Sequence, residues 1–261
     1  MIIDNRAGAG GTVGAEIVYR AEPDGYTLLC SPPGPLSINH NLYKTLPYDW
    51  TKFVPIGVLA LVPNVITARI DLPASSLPEF IAWAKANPGK ATYASQGNGS
   101  TSHLSASNLA TLAGIELVHV PYKGSAGAVQ DLLGGQIPYM FLPVHVAATY
   151  IKSGKLKALA IGSAKRHPLL PDVPTLIELG LKDANVDMWY GLFAPKDTPD
   201  EIVARLDKEL AAILDSDEAR EAFGKQGLTP ATSTPAELAE IVKRDRDRWA
   251  DIIAKRGIKA E

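Results

Sequence analysis

The stretch Ala91–Leu104, ATYASQGNGSTSHL, reads as a short strand that runs through a turn rich in glycine and serine into a helix. Gly97 and Gly99 allow a ligand to approach the backbone, and the first turn of a helix leaves amide N–H groups without partners. Four hydroxyl groups stand at the same place, on Ser95, Ser100, Thr101 and Ser102. This combination predicts a binding site for a carboxylate or a phosphate.

Two other interpretations of this turn stay open. In the first, the turn is only a strand-to-helix connection with a serine N-cap, which occurs wherever strands alternate with helices. It also resembles a dinucleotide-binding loop. However, G-N-G-S-T-S lacks the third glycine, and the next strand, Leu117–Val120, ends in Pro121 and Tyr122 rather than in an acid.

Regular alternation of strands and helices begins at Ala91 and favours a parallel sheet with helices on both faces. Strands are predicted over 91–95, 117–120, 138–142 and 157–161, and helices over 101–113, 125–133 and 146–152. The segment Tyr122–Gly124 then follows a strand at the same sheet edge, with Ser125 as the cap of the next helix. Lys123 is either a point charge for an anion or a solvated surface lysine.

The sequence outside this region predicts a first lobe made of two separate segments, one before and one after the inserted α/β lobe. Before Ala91 we expect a helix over 12–21, strands over 26–30, 54–60 and 64–68, and a helix over 76–87. The loop SPPGPLSIN, from Ser31, follows a strand and is a second candidate ligand loop. After a long strand over 187–194 we expect helices over 199–214, 217–226 and 235–255, with caps at Thr198 and Thr234. The predicted domains are 1–68 with 191–261, and an inserted α/β lobe over 69–190.

Bulk properties exclude several classes of partner. The net charge of −2 and the pI near 6.2 argue against nucleic acid or an acidic membrane surface, which require a concentrated basic surface. The basic run Lys243–Arg248 alternates with acids and is interpreted as a solvated helix face. No apolar run is long enough to span a bilayer, and no signal peptide is recognisable. Cys30 is the only cysteine and is expected to be a buried free thiol.

Residues that could carry chemistry do not form a recognisable catalytic or metal-binding pattern. The five histidines, His40, His103, His119, His145 and His167, show no metal-ligand spacing. Ser100 and His103 share a helix face, but no nucleophile-elbow motif surrounds the serine, so His103 is expected to brace the turn or to bind the ligand. We therefore expect no catalytic residue, no metal and no cofactor.

Several long motifs, in order along essentially the whole chain, resemble the Bordetella uptake gene (Bug) proteins, the solute-binding receptors of tripartite tricarboxylate transporters. They are DNRAGAGGTVGAEIVYRAEPDGYTLL, NLYKTLPYDW, YASQGNGSTSHL, VPYKGSAGAVQDLLGGQI, SGKLKALAIGSAKRHPLLPDVPTLIELG and WYGLFAPKDTP. The resemblance implies an α/β, two-lobed periplasmic-binding-protein-like fold of the Venus-flytrap type, with the ligand cleft between the lobes. Family members usually begin with a secretion signal and a first strand and glycine-rich loop, so the chain is expected to lack that signal and the first βα unit.

The implied ligand contacts come from both lobes. They are Ser31, Pro32 and Gly34 in the first lobe, and Ser95, Gly97, Asn98, Gly99, Ser100, Thr101, His103, Tyr122, Lys123 and Leu142 in the second. Many relatives carry an aspartate at the position of Leu142. An aspartate there would pair with a ligand ammonium, whereas leucine offers an apolar wall, so we expect a ligand without an amine.

The resulting functional hypothesis is a periplasmic, non-enzymatic receptor. It would capture a small mono- or dicarboxylate and present it to membrane transporter subunits. The alternative is an enzyme acting on a carboxylate or phosphate, with His103 as acid or base and Lys123 as its electrostatic partner. A general base needs an orienting group, and the sequence shows no carboxylate beside His103.

Overall fold

The computed structural model describes residues 1–184 and 187–258, and the chain divides into two compact units. One consists of Met1–Leu61 with Met188–Glu261, and the other of Val62–Asp187. We call them unit 1 and unit 2. The boundaries predicted from the sequence, after residues 68 and 190, lie inside two strands, and residues 185, 186 and 259–261 of the predicted lobes lie outside the described residues.

Unit 1 is built from helices around a small antiparallel sheet. Its elements are α1 (Thr12–Tyr19), β1 (Leu29–Ser31), the first part of β2 (Val54–Arg69), β7 (Asp187–Ala194), α6 (Asp200–Leu214), α7 (Asp217–Lys225), β8 (Thr229–Pro230) and α8 (Pro235–Arg256). Strand β1 pairs antiparallel with β7, and β8 pairs antiparallel with β2. Trp189, Phe193, Phe53 and Leu238 lie in its hydrophobic cluster.

Unit 2 is a five-stranded mixed sheet with helices on both faces. Its elements are the rest of β2, α2 (Leu77–Ala86), β3 (Thr92–Ser95), α3 (Thr101–Ala113), β4 (Val118–Pro121), α4 (Ser125–Leu133), β5 (Tyr139–Pro143), α5 (Val144–Lys152) and β6 (Leu156–Ile161). The strand order is β4-β3-β5-β2-β6. Strand β3 is parallel to β4 and β5, whereas β2 is antiparallel to β5 and β6.

Successive residues of the unit 2 strands belong to two different hydrophobic clusters. Tyr93 and Phe141 lie in the cluster that includes Ala106 and Leu109 of α3, whereas Ala94 packs in the cluster that includes residues of α4 and α5. Because side chains alternate across a strand, these clusters cover opposite faces of the sheet. The loops that follow β3 and β4 therefore meet at one edge, where the parallel strands end.

The predicted parallel pairing is present between β3 and its neighbours β4 and β5, but the sheet as a whole is not parallel. Strand β2 is inserted between β5 and β6 and runs against both, so the sheet is mixed. The two strands predicted over 54–60 and 64–68 form one continuous strand of 16 residues. Pro63 lies within it, where β2 changes its partners from β8 to β5 and β6.

Four local predictions are corrected by side-chain geometry. Ser125 does not cap α4, because the N-cap is Gly124, and the Thr198 hydroxyl donates to the Pro195 carbonyl instead of capping α6. Cys30 is exposed, since it points away from the core at the edge strand β1. Within the basic run of α8, Asp245 is buried and accepts a hydrogen bond from Trp189, so that run is not uniformly solvated.

Candidate functional site

The Ser95–Thr101 loop connects the end of β3 to the start of α3. Ser100 is the N-cap of α3, and its hydroxyl accepts a hydrogen bond from the His103 N–H at 3.4 Å. Gly97 has a φ of +130° and Gly99 a φ of +75°, conformations that side chains rarely adopt. A Cβ on Gly97 would lie 3.1 Å from the Tyr122 carbonyl oxygen. Both glycines are therefore required by the backbone path.

Most of the predicted hydroxyl donors are used inside the loop. The Ser95 Oγ lies 2.6 Å from the His119 Nε2 and accepts the Gly97 N–H at 3.0 Å. The Ser100 Oγ donates to the Gly97 carbonyl at 2.7 Å, and the Ser102 Oγ donates to the Gln96 side chain. These hydroxyls hold the loop in shape. Helix α3 begins directly after this loop, and the first N–H groups of a helix have no carbonyl acceptor inside the helix.

Two stacked, neutral histidines support the loop. The rings of His103 and His119 are 3.8 Å apart and almost parallel, and His119 also stacks on Tyr93. Burial lowers the pKa of His103 to about 4, and burial together with the neighbouring His103 lowers the pKa of His119 to about 3. The His103 Nδ1 accepts the Gly99 N–H at 3.2 Å, so its Nε2 carries the proton at neutral pH.

This arrangement fits a bracing role for His103 better than acid–base catalysis. A general base works best with a pKa near the operating pH, and the pKa of about 4 lies well below it. Its Nδ1 is occupied by the loop backbone. Lys123, its proposed electrostatic partner, is exposed.

The Tyr122–Gly124 loop is joined to the first loop by backbone hydrogen bonds. The Tyr122 N–H donates to the Ser95 carbonyl at 3.1 Å, and the Gly124 N–H donates to the Gln96 carbonyl at 3.2 Å. The Tyr122 hydroxyl donates to Asp131, and burial together with that carboxylate raises the pKa of Tyr122 to about 12. Its hydroxyl is therefore committed to α4, and the backbone of this loop is what lies beside the Ser95–Thr101 loop.

The predicted contacts in unit 1 occupy a tightly packed turn. Ser31 ends β1, and its hydroxyl donates to the Pro32 carbonyl at 2.8 Å. Gly34 is buried, and a Cβ there would lie 2.9 Å from the Gly10 carbonyl oxygen. Gly34 thus allows two segments of unit 1 to pack closely, and its contact with a ligand stays a prediction.

Three more of the predicted contacts lie in unit 2. Leu142 is completely buried in the cluster that contains Val65 and Val144, so its side chain belongs to the core of unit 2, and its contact with a ligand stays a prediction. Asn98 lies half-buried at the loop tip, and Thr101 is buried in the first turn of α3. His119 was not predicted, because a single histidine in the alternating segment VHVPY has no spacing that marks it.

Among residues 1–184 and 187–258, no group of three or more histidine, cysteine or acidic side chains could hold a metal ion. Over the same residues, no helix combines the length and the apolar character needed to cross a bilayer.

The family model of the tripartite tricarboxylate transporter family receptor matches residues 1–258. The chain belongs to this receptor family. Protein BugT of Bordetella pertussis is 35% identical over 261 residues, which cover 99% of the receptor and 80% of BugT.

Solved structures of high similarity confirm the α/β periplasmic-binding-protein-like fold of the receptor. The periplasmic binding protein BugD is 38% identical with a TM-score of 0.92, covering 100% of this chain and 88% of BugD. An R. palustris protein solved with adipate is 33% identical with a TM-score of 0.94, covering 99% and 87%. MatC from Rhodopseudomonas palustris, solved with bound malate, is 34% identical with a TM-score of 0.87, covering 94% and 85%.

Proposed function

We propose that this receptor captures a small mono- or dicarboxylate that has no amine, in the periplasm, and delivers it to the membrane subunits of a tripartite transporter. The observation that carries the proposal is the Ser95–Thr101 loop, which combines two left-handed glycines with the N-terminus of α3. Backbone N–H groups at a helix N-terminus favour an anion through both hydrogen bonding and the helix dipole. Adipate and malate in two of the similar structures support a carboxylate.

Pre-organisation supports binding without turnover. The loop hydroxyls are bonded to the loop itself before any ligand arrives, so little conformational entropy is lost when an anion binds. With pKa values of about 4 and about 3, the two histidines are weak bases and are not protonated to act as general acids at neutral pH. The loop therefore suits recognition of a carboxylate better than its chemical conversion.

The preference for an acid without an amine rests on the charges of the two loops. Neither Ser95–Thr101 nor Tyr122–Gly124 contains an aspartate or a glutamate. An ammonium group near the first turn of α3 would meet N–H groups and the positive end of the helix dipole. A ligand amine would have no carboxylate partner in these loops, and its desolvation would oppose binding.

A thermal-shift comparison of matched acids tests the proposal. A ligand that binds only the folded state raises the melting temperature, so succinate, malate or adipate is expected to raise it. Aspartate, which is succinate with an added amine, is expected to raise it less at the same concentration. An equal or larger shift with aspartate would contradict the preference, and no shift with any carboxylate would contradict the function.

The Ser100→Leu variant tests the location. The change removes the cap, and the bulkier side chain blocks approach to the first turn of α3, so carboxylate binding should weaken. Ser216→Ala is the matched control, because Ser216 caps α7 of unit 1 with the same hydrogen bond at 3.1 Å. Each variant should lose about 0.5–2 kcal/mol of stability, and only Ser100→Leu should lose binding. Equal affinity in the two variants would exclude this loop as the binding site.

A further inference from the structure

Asn64 is a buried polar side chain whose hydrogen-bonding capacity is unused. It is only 2% exposed, and neither its Nδ2 nor its Oδ1 has a hydrogen-bond partner among residues 1–184 and 187–258. Buried amides in folded proteins are almost always paired, because an unpaired buried donor or acceptor costs free energy. A side chain of this kind indicates either strain or a partner that is not protein.

The strand register places Asn64 beside the carboxyl-terminal ends of β3 and β5, the end of the unit 2 sheet where the two ligand loops begin. Asn64 is opposite Pro143, the last residue of β5. Strand β5 is parallel to β3, which ends at Ser95. Since β2 is antiparallel to β5, the start of the β2 segment in unit 2 lies beside the ends of β5 and β3.

Side-chain alternation places Asn64 on the same sheet face as Ser95. Ile66, two residues after Asn64, lies in the cluster packed against α3. Tyr93, two residues before Ser95, lies in that same cluster. Residues two apart on a strand share a face, so Asn64 and Ser95 both lie on the α3 side of the sheet.

The separation of these positions suits a small dicarboxylate. Strand β5 lies between β2 and β3, so Asn64 is two strand spacings, roughly 10 Å, from the line of Ser95 across the sheet. The N-terminal turn of α3 begins at the same edge and on the same face. An acid with one carboxylate at that turn would extend along the edge toward Asn64.

We propose that Asn64 binds the ligand held by the Ser95–Thr101 loop and selects an acid that carries a hydroxyl beside a carboxylate. A side-chain amide offers donors on nitrogen and an acceptor on oxygen. A carboxylate oxygen accepts from the Nδ2 while the adjacent hydroxyl donates to the Oδ1, so both orphaned groups are satisfied together. This specificity rests on the proposed carboxylate-binding function and extends it to a class of substrate.

The test compares malate with succinate, which differ by one hydroxyl, in titration calorimetry on the wild-type chain and its variants. A site that hydrogen-bonds a ligand hydroxyl rejects the analogue that lacks it, so the wild type should prefer malate by at least about tenfold. Asn64→Leu keeps a similar volume and removes both polar groups, so the ratio of the two affinities should fall toward one while succinate still binds.

The matched control is Thr67→Val on the same strand. Thr67 is fully buried and its hydroxyl donates to the Met140 carbonyl at 2.8 Å, so this polar group is already paired. Thr67→Val should lower the melting temperature and leave the malate-to-succinate ratio unchanged. Asn64→Leu should not lower the melting temperature of the ligand-free protein, because it removes an unpaired buried amide.

The outcomes separate the specificity from the underlying function. If the wild type binds carboxylates but Asn64→Leu keeps the wild-type ratio, or the wild type shows no preference for malate, the role of Asn64 is overturned and the receptor function stands. If the wild type binds no carboxylate, both proposals fail. Should Asn64→Leu not fold, Asn64→Asp keeps the shape and replaces the donor by a negative charge, so it should abolish malate binding. Retained binding in that variant would overturn the proposal.

Discussion

At the scale of single residues, the contact between Ser95 and His119 sets the shape of the candidate site. The 2.6 Å hydrogen bond joins the end of β3 to β4, and the same hydroxyl accepts the Gly97 N–H at 3.0 Å. One buried serine therefore fixes both the strand pair and the first bend of the loop. A ligand meets a loop whose Ser95 and Ser100 hydroxyls already have hydrogen-bond partners inside the protein.

Gly97→Ala is expected to destabilise the chain and to weaken carboxylate binding. The new Cβ would lie 3.1 Å from the Tyr122 carbonyl at a φ of +130°, so the strain should cost about 1–3 kcal/mol. Chemical denaturation measures the loss. Gly127→Ala is the control, because that glycine lies in α4 and its Cβ would make an ordinary contact of 3.4 Å with the Tyr122 ring. It should be neutral or stabilising by up to about 1 kcal/mol, and equal losses in both variants would contradict the argument.

The stacked histidines predict acid sensitivity. Both pKa values are lowered on folding, from 6.5 to about 4 for His103 and to about 3 for His119. The unfolded chain therefore binds more protons below pH 6.5, and stability is lost as the pH falls from 6.5 toward 3. Urea denaturation at a series of pH values measures this slope.

His119→Phe checks the assignment of that slope. Phenylalanine keeps an aromatic ring against Tyr93 and removes one titrating group. The number of protons taken up on unfolding between pH 6.5 and 3 should fall by about one. A slope identical to that of the wild type would show that other groups are responsible.

The sequence predicted the backbone of the site better than its polar contacts. Gly97, Gly99 and Ser100 are local signals of a turn and a helix cap, and the structure places them in those roles. His119 and Asn64 carry no such signal, because each is a single polar residue within an apolar strand. Their position depends on which strands become neighbours, and that is a property of the whole sheet.

At the scale of elements, α8 is attached to β7 by a buried polar contact. The Trp189 Nε1–H donates to the Asp245 Oδ2 at 2.7 Å, and both side chains are buried. Burial raises the pKa of Asp245, which means that the charged form is disfavoured in the folded chain. The charge pattern of α8 alone could not reveal this role, since Asp245 stands among basic residues.

Asp245→Asn and Asp245→Leu separate the hydrogen bond from the charge. Asparagine keeps an acceptor for the Trp189 N–H without a buried charge, so its stability at pH 7 should equal or exceed that of the wild type. Leucine leaves the indole N–H unpaired and should cost about 1–3 kcal/mol. Thermal denaturation of both, with exposed Asp247→Asn as the neutral control, measures the difference. Equal stability of the two Asp245 variants would contradict a structural role for this bond.

Sheet topology was the least predictable element property. The spacing of helices and strands from Ala91 gave the correct elements, but it did not show that β2 enters the sheet between β5 and β6. Helix starts were predictable where a side chain makes the cap, as at Thr234, whose capping box with Glu237 is present. The starts of α4 and α6 were also predicted to within one residue, but their caps were not, because Gly124 and Pro199 precede these helices and make no side-chain cap.

At the scale of the whole molecule, unit 2 is one continuous segment with its own core. Both of its hydrophobic clusters draw their residues from within Val62–Asp187, and the cluster of unit 1 uses none of them. The fragment 62–187 is therefore expected to fold alone with a cooperative melting transition, whereas unit 1 needs two separate segments. Circular dichroism of the fragment measures this, and a gradual, non-cooperative loss of signal would contradict it.

Strand β2 supplies one continuous backbone to strand pairs in unit 1 and to strand pairs in unit 2. Ala60 and Leu61 pair with β8, while the residues from Asn64 onward pair with β5 and β6. Pro63 stands between them and has no N–H to contribute to either set of pairs. In terms of local unfolding, this proline separates two foldons. Either half of the strand can therefore open and expose its amide N–H groups to hydrogen exchange while the other half stays closed.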